Sequence, residues 1–290
     1  LASFLAAQAE RQRSVAYLDA MRQIEPEMDN IAVAWQWALA QADCTFFAQS
    51  VDAVSSYLHH NARHAEGVRL LEAALAVCGN AAHSYRLRNR LAQLHSWGAT
   101  DMVQGQALAQ AAYRAAHAAS DWVEAAYACF QWAITLQRTG DFEPAWQKLE
   151  EGLALLENSA ADWLRASLAT RLCLNAPPLS RLAEGERYGR LAQEMAQRLG
   201  QPLVQWQAEY ALSVLYWHAG DLPQAEQHAA ASVAVLAGDD FVNFRAISIQ
   251  MQAFVLHRQQ RLDEALVLMD AAETVAQQVG DQDLLASLWS

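Results

Sequence analysis

Apolar side chains recur three and four residues apart along most of the chain, as at Leu149, Leu153 and Leu156 and again at Leu262, Leu266 and Met269. That spacing returns a side chain to one face of an α-helix, whereas a half-buried strand alternates apolar and polar positions. Strand-length alternation is hard to find, and only six prolines and twelve glycines punctuate the chain. The pattern predicts an all-α protein.

The helical pattern also repeats. TDMVQG (100–105), GDFEPA (140–145), SRLAEG (180–185), GDLPQA (220–225) and QRLDEA (260–265) follow one another at a period of 40 without a gap. The sixth residue is small in every copy: Gly105, Ala145, Gly185, Ala225 and Ala265. Seven residues on stand Ala112, Gly152, Ala192, Ser232 and Ala272, and upstream stand Ala133, Cys173, Ser213 and Ala253. Small residues in phase on two consecutive helices let the backbones approach and pack antiparallel. One such hairpin cannot bury its apolar face alone, so hairpins stack. The prediction is a right-handed superhelical solenoid of about six hairpins over residues 61–280. An atypical helical segment precedes it at 1–60, and 281–290 starts a further, cropped helix. Gly200, Gly238 and Gly280 are predicted helix ends, and Asp121 and Asp281 are predicted N-caps. Pro177-Pro178 should shorten the first helix of the copy at 160–200 and is a candidate hinge.

Composition narrows the function classes. The 290 residues are 53% hydrophobic with mean hydropathy −0.05, and no apolar run approaches the length of a membrane span. A net charge of −12 and a single lysine, Lys148, argue against a nucleic-acid surface, which needs clustered basic groups. The four cysteines, Cys44, Cys78, Cys129 and Cys173, are far apart and lie in apolar helical contexts. They are expected to be reduced, buried thiols of a cytoplasmic protein. The chain starts at Leu1 without a signal segment and stops in DQDLLASLWS, which suggests a piece of a longer protein. No GxSxG, HExxH, phosphate loop or Cys/His signature is present, so neither an enzyme nor a cofactor is expected. His59, His60 and His64 cluster in YLHHNARHAEG, with His60 and His64 at i,i+4 spacing, but zinc would want a third and fourth ligand such as Cys or Asp/Glu nearby. The stretch is expected to be a polar turn and not a metal site.

The repeat resembles the tetratricopeptide repeat, with small residues mid-helix, Gly-Asp at the turn and Ala in the second helix, in a variety with longer helices. A second resemblance lies in EPEMDNIAVAWQWALAQAD (25–43) and HAEGVRLLEAAL (64–75). Glu27, Asn30, Ile31, Ala34, Trp37, Ala38 and Asp43, then Glu66, Gly67, Leu71, Ala74 and Leu75, are similar to the segment that follows the NTPase module in STAND-class signal-transduction ATPases. Bacterial transcriptional regulators of the LuxR type and the maltose-activator type belong to that class. The resemblance implies a cytoplasmic sensing arm whose partners are a small-molecule inducer or a peptide or protein, and the NTPase module of its own parent chain. It implies no direct contact with nucleic acid or membrane. The runner-up is a plain protein-interaction scaffold.

The tetratricopeptide resemblance also implies which side chains of the first helices face the concave binding side. In the 83–98 helix these include Asn89, Gln93 and Trp97, with Arg86 beside them. In the next first helix they are Tyr127, Phe130, Gln137 and Arg138, with Ile134. Later copies place Tyr210, Trp217 and His218, then Gln250, Phe254, His257 and Arg258, on the same side. Aromatic bodies with amide, hydroxyl and guanidinium tips suit a sugar, a peptide or another mixed-polarity ligand. The competing expectation is that many of them pack between neighbouring helices. Trp35, Trp37, Trp122, Trp146 and Trp206 fall off these positions and are expected in the core.

Overall fold

A computed structural model describes residues 1–98, 101–236 and 241–279, and every regular element among them is a helix. The chain divides into two compact units, residues 1–168 and 169–290. The first unit holds α1 (Ala2–Arg11), α2 (Tyr17–Ile24), α3 (Met28–Gln41), α4 (Cys44–His60), α5 (His64–Cys78), α6 (Ser84–Trp97), α7 (Met102–Ala118), α8 (Trp122–Arg138) and α9 (Phe142–Leu155), with the start of α10 (Asp162–Asn175). The second unit continues with the end of α10, then α11 (Leu182–Leu199), α12 (Pro202–Ala219), α13 (Leu222–Val235), α14 (Val242–Arg258) and α15 (Leu262–Val279).

The 40-residue period is realised in the backbone. Helices α7, α9, α11, α13 and α15 begin at 102, 142, 182, 222 and 262, and α8, α10, α12 and α14 begin at 122, 162, 202 and 242. Each hairpin pairs a first helix with the second helix that follows it, as α8 with α9 and α12 with α13. All the phased small positions are buried, from Gly105, Ala112 and Ala133 through Ala225, Ser232 and Ala272. At Gly185 an added Cβ would lie 2.4 Å from the Ala176 Cβ and 2.9 Å from Leu215. At Gly152 it would meet Leu168 at 3.0 Å and the Cys129 Cβ at 3.3 Å.

The recurring Gly-Asp has two separate causes. Residues 140, 180, 220 and 260, each just before a second helix, all take positive φ: Gly140 85°, Ser180 59°, Gly220 81° and Gln260 64°. Glycine enters that region without the Cβ penalty. At Gly220 the residue that follows caps the helix: Asp221 accepts from the Gln224 N–H, just as Asp43, Asp101 and Asp121 accept from Phe46, Gln104 and Glu124, whereas Asp141 makes no such bond and accepts from the Thr139 hydroxyl instead. Gly200 ends α11 in the left-handed conformation, whereas Gly238, Gly280 and Asp281, with the 281–290 segment, lie outside the described residues. α10 stops at Asn175, and Pro177–Leu179 form a 3-10 turn.

Two expectations about packing are corrected. Trp35, Trp146 and Trp206 are buried, but Trp37 is 60% and Trp122 43% exposed. Trp35 and Trp37 are two residues apart on α3, which puts them on opposite sides of the helix, and Trp122 opens α8 beyond the packed stretch. The second correction concerns the thiols. Cys129 and Cys173 are free and buried, but Cys44 and Cys78 form a disulfide. It joins the start of α4 to the end of α5. Burial pushes the Cys129 and Cys173 thiols up to about 12, so both are inert small hydrophobes. No described helix is long and apolar enough to cross a membrane.

Candidate functional site

In the first unit α1 packs on α4, α4 on α6, and α6 on α8. The face that these helices share carries a buried ionic network. Arg90 of α6 is at its centre, donating from Nε to Asp52 of α4 (2.9 Å) and from Nη2 and Nη1 to Glu124 of α8 (2.8 and 3.2 Å). Its guanidinium lies 4.0 Å over the Tyr127 ring. Arg86, one turn earlier on α6, and Arg13, in the turn after α1, both donate to Asp52 Oδ2, at 2.7 and 2.9 Å. The Arg13 guanidinium also lies 5.0 Å from the ring centre of Trp163 on α10. Trp163 in turn stands 6.0 Å from the Tyr127 ring. Successive packed helices are roughly 9 Å apart, so on a flat face α1 and α10 would be far out of reach. The Arg13–Trp163 contact therefore makes this face concave.

The network holds the Asp52 carboxylate ionised. Burial alone would raise the Asp52 carboxyl, but the guanidiniums of Arg90, Arg86 and Arg13 outweigh it and hold it well below the usual carboxylate range. Burial would likewise lower Arg90, and the neighbouring Asp52 and Glu124 carboxylates reverse that. Tyr127, buried beneath Arg90, has its hydroxyl pushed up to about 12.

Several residues expected on the binding face join this network instead of standing free. Asn89 is buried and donates to both the Glu124 carboxylate and backbone carbonyl, at 2.7 and 2.9 Å. Gln93 accepts from the Tyr127 hydroxyl (2.8 Å), and Phe130 is buried beside Tyr127. Trp97 lies apart from them, 5.2 Å from the His59 ring. Gln137 and Arg138 sit at the end of α8, Gln137 partly buried and Arg138 exposed. The His59–His64 stretch does form a turn: His59 Nδ1 and His64 Nε2 share a hydrogen bond at 3.0 Å, and His60 bonds the Tyr17 hydroxyl. Burial first, then His64 and His60, bring the His59 imidazole down to about 3.

In the second unit the expected residues gather at the ends of α12 and α14. Arg258 stacks over Trp217, 4.8 Å from the ring centre, and donates to the Trp217 carbonyl. His218 packs edge-on against Trp217 at 4.8 Å, and burial and Arg258 lower its pKa. Phe254 is 39% exposed, His257 is exposed, and the indole N–H of Trp217 has no hydrogen-bond partner among the described residues. Tyr210, at 5.9 Å from the Trp206 ring, and the buried Gln250 lie deeper.

The expected set leaves out Arg13, Asp52, Arg90, Glu124 and Trp163. Arg13 and Asp52 precede the phased copies, while Glu124 lies one turn up the same stripe as Tyr127 and Phe130, where a charge on an inward face was a visible signal. A further open cleft of about 950 Å³ lies at the turns of the first unit, lined by His83, Tyr85, His117, Asp121 and Trp122 among others.

No protein-family model matches the chain, and no curated protein matches it either. Among solved structures, a Rap protein complexed with competence and sporulation factor superposes with a TM-score of 0.72 at 12% identity, covering 99% of this chain and 79% of that one. The fold is a helical repeat of the tetratricopeptide type. The Rap conjugation gene regulator of plasmid pLS20, in complex with the Phr* peptide, gives 0.59 at 12% identity over 91% and 78% of the two chains. BtubC from P. vanneervenii gives 0.56 at 16% identity over 77% and 92%. At such identities the likeness carries the fold alone.

Proposed function

We propose that this chain is a non-catalytic sensing arm that binds a peptide or partner segment on the faces of its first helices. The observation that carries the reading is the exposed aromatic and cationic group at the ends of α12 and α14. His218, Phe254 and Arg258 are exposed there, with the Arg258 guanidinium over the half-buried Trp217 ring, so flat area and a guanidinium stand at one surface. Tryptophan and arginine in such a setting are the usual anchors of peptide interfaces. The Rap structures, one solved with competence and sporulation factor and the other with the Phr* peptide, support this choice over a sugar or nucleotide. The resemblance of residues 25–43 and 64–75 to the segment after an NTPase module supports a cytoplasmic signal-transduction ATPase that regulates transcription as the parent. Binding would then bias the parent's states only through its difference in affinity between them.

Thermal unfolding against short peptides, sugars, nucleotides and amino acids tests the reading. A folded-state ligand at a hundredfold excess over Kd adds about 2.7 kcal/mol. Stabilisation by peptides that Trp217→Ala abolishes is the expected result. Stabilisation by a sugar or nucleotide alone, or by nothing in the set, overturns the peptide reading. The upstream coding sequence tests the parent: absence of a P-loop there removes the ATPase.

A further inference from the structure

The ionic network of the first unit has an imbalance that points to a ligand. Its enclosed part contains three guanidiniums, Arg13, Arg86 and Arg90, against two carboxylates, Asp52 and Glu124. The third carboxylate is Glu10, which reaches Arg13 Nη1 at 2.7 Å from a side chain that is 75% exposed. An exposed ion pair of this kind is worth little against water, so the inner positive charge is only weakly compensated. Arg86 is also incompletely used. Its Nη2 binds Asp52, its Nε is buried without a hydrogen-bond partner, and Glu124 stands 3.7 Å from that Nε, too far to accept. Because Arg13 and Arg86 share the single acceptor Asp52 Oδ2, their guanidiniums stand side by side. Both are partly open to solvent, at 25% and 33%, and Trp163 forms an aromatic wall beside Arg13.

We infer that Arg13 and Arg86 form a carboxylate-binding subsite on the concave face of the first unit, with Glu10, paired to Arg13, as a displaceable competitor for it. A planar carboxylate matches the guanidinium fork, and in a partly desolvated site such pairs are the stronger hydrogen bonds. The inference rests on the proposed peptide reading and extends it: the ligand carries an acidic anchor, either its C-terminal carboxylate or an aspartate or glutamate side chain. The chain's net charge of −12 repels anions at long range, so recognition depends on this local pair and not on steering.

The test uses capped amino acids at constant ionic strength, read by chemical shifts of the arginine side-chain N–H groups. N-acetylglycine stands for a chain terminus and N-acetylglutamate α-amide for an acidic side chain; N-acetylglycinamide and N-acetylglutamine α-amide are their neutral controls. The expected result is saturable shifts from at least one of the two acids and none from the amides. Glu10→Gln, an exposed change with little risk to folding, should tighten the acid about threefold, the worth of one exposed ion pair. Arg86→Gln should abolish its binding. Equal response to acid and amide, or no effect of Glu10→Gln, overturns the subsite. Peptide hits in the stability screen that ignore charge and both substitutions leave the peptide reading standing and remove the subsite. An acid response without any peptide hit does the reverse.

Discussion

Replacing Arg90 with Met would remove the centre of the first unit's network while keeping most of the side chain's volume. The cavity cost is then small, and the loss is that of a charge. Arg90 makes one hydrogen bond to Asp52 and two to Glu124, with all three side chains no more than 8% exposed. Without it, Asp52 keeps Arg13 and Arg86 as donors, but Glu124 keeps only the neutral Asn89 within hydrogen-bond reach. Breaking a buried pair costs about 3–5 kcal/mol when the remaining carboxylate is uncompensated; Arg86, 3.7 Å from Glu124 but not hydrogen-bonded to it, offsets part of this and puts the expected cost near the lower end, about 3 kcal/mol. Most of that cost is assigned here to Glu124, which makes a second, sharper expectation. Adding Glu124→Gln to Arg90→Met should recover roughly 2 kcal/mol, because the amide needs no counter-charge and can still accept from Asn89. Urea midpoints at pH 7, with an unchanged denaturant slope, measure both quantities. A loss below about 1 kcal/mol for Arg90→Met, or a double variant less stable than the single, would show that water already screens the network, and the reasoning would fail.

Gly185→Ala should cost about 1–3 kcal/mol by overpacking against Ala176 and Leu215, whereas Gly140→Ala, with open space around it but φ of 85°, should cost only about 1; urea midpoints separate the two. Reduction of the Cys44–Cys78 disulfide, which spans 34 residues, should remove about 3–4 kcal/mol by the loop-entropy relation, seen as a lower Tm with reductant that Cys44→Ser/Cys78→Ser reproduces. Acid should destabilise in two stages. His59 is held near 3 against an ordinary 6.5, so the unfolded chain binds its proton first and stability falls as pH drops from about 6.5, with a slope of at most about 1.4 kcal/mol per pH unit. Asp52, depressed in the fold, adds a further loss below about pH 4. His59→Gln should flatten the first stage; midpoints that stay level down to pH 4 would refute the His59 assignment, and no further fall below pH 4 would refute that of Asp52.

The period and the small positions could be read from the sequence because backbone approach admits almost no alternative to Gly, Ala, Ser or Cys. The left-handed turn residues were only half legible: Gly140 and Gly220 announce themselves, whereas Ser180 and Gln260 take the same conformation at some strain. The disulfide left a faint trace, since Cys44 and Cys78 both lie 17 residues from Asn61 in the turn between α4 and α5; an antiparallel hairpin brings such positions together, but only once the turn is located. The face of the first helices was legible in phase but not in role. Asn89, Gln93 and Tyr127 lie on the expected stripe, yet they are engaged by Glu124 and by each other. The network's other members, Arg13 and Asp52, come from the turn after α1 and from α4, outside the repeat period, and no periodicity argument reaches across that distance.

Arg13 is the residue through which the N-terminal helix takes part in this face. α1 buries Leu5, Gln8 and Ala9 and packs on α4, and Arg13 adds a bond to Asp52 and the contact with Trp163. Removing the guanidinium by Arg13→Ala opens the α1–α10 closure and leaves Asp52 with its two α6 arginines, so the network itself should persist. Because the Arg13 side chain is already 25% exposed, the cost should be about 1 kcal/mol, well below that of Arg90. Amide hydrogen exchange distinguishes the outcomes. Faster exchange confined to residues 2–11, with α6 and α8 as protected as before, would show that α1 can be released from the concave face without unfolding it. Unchanged exchange would mean that the apolar side of α1 holds it alone. Faster exchange throughout α6 and α8 would mean that the closure supports the whole face, and that the N-terminal helix cannot move independently of the site it borders.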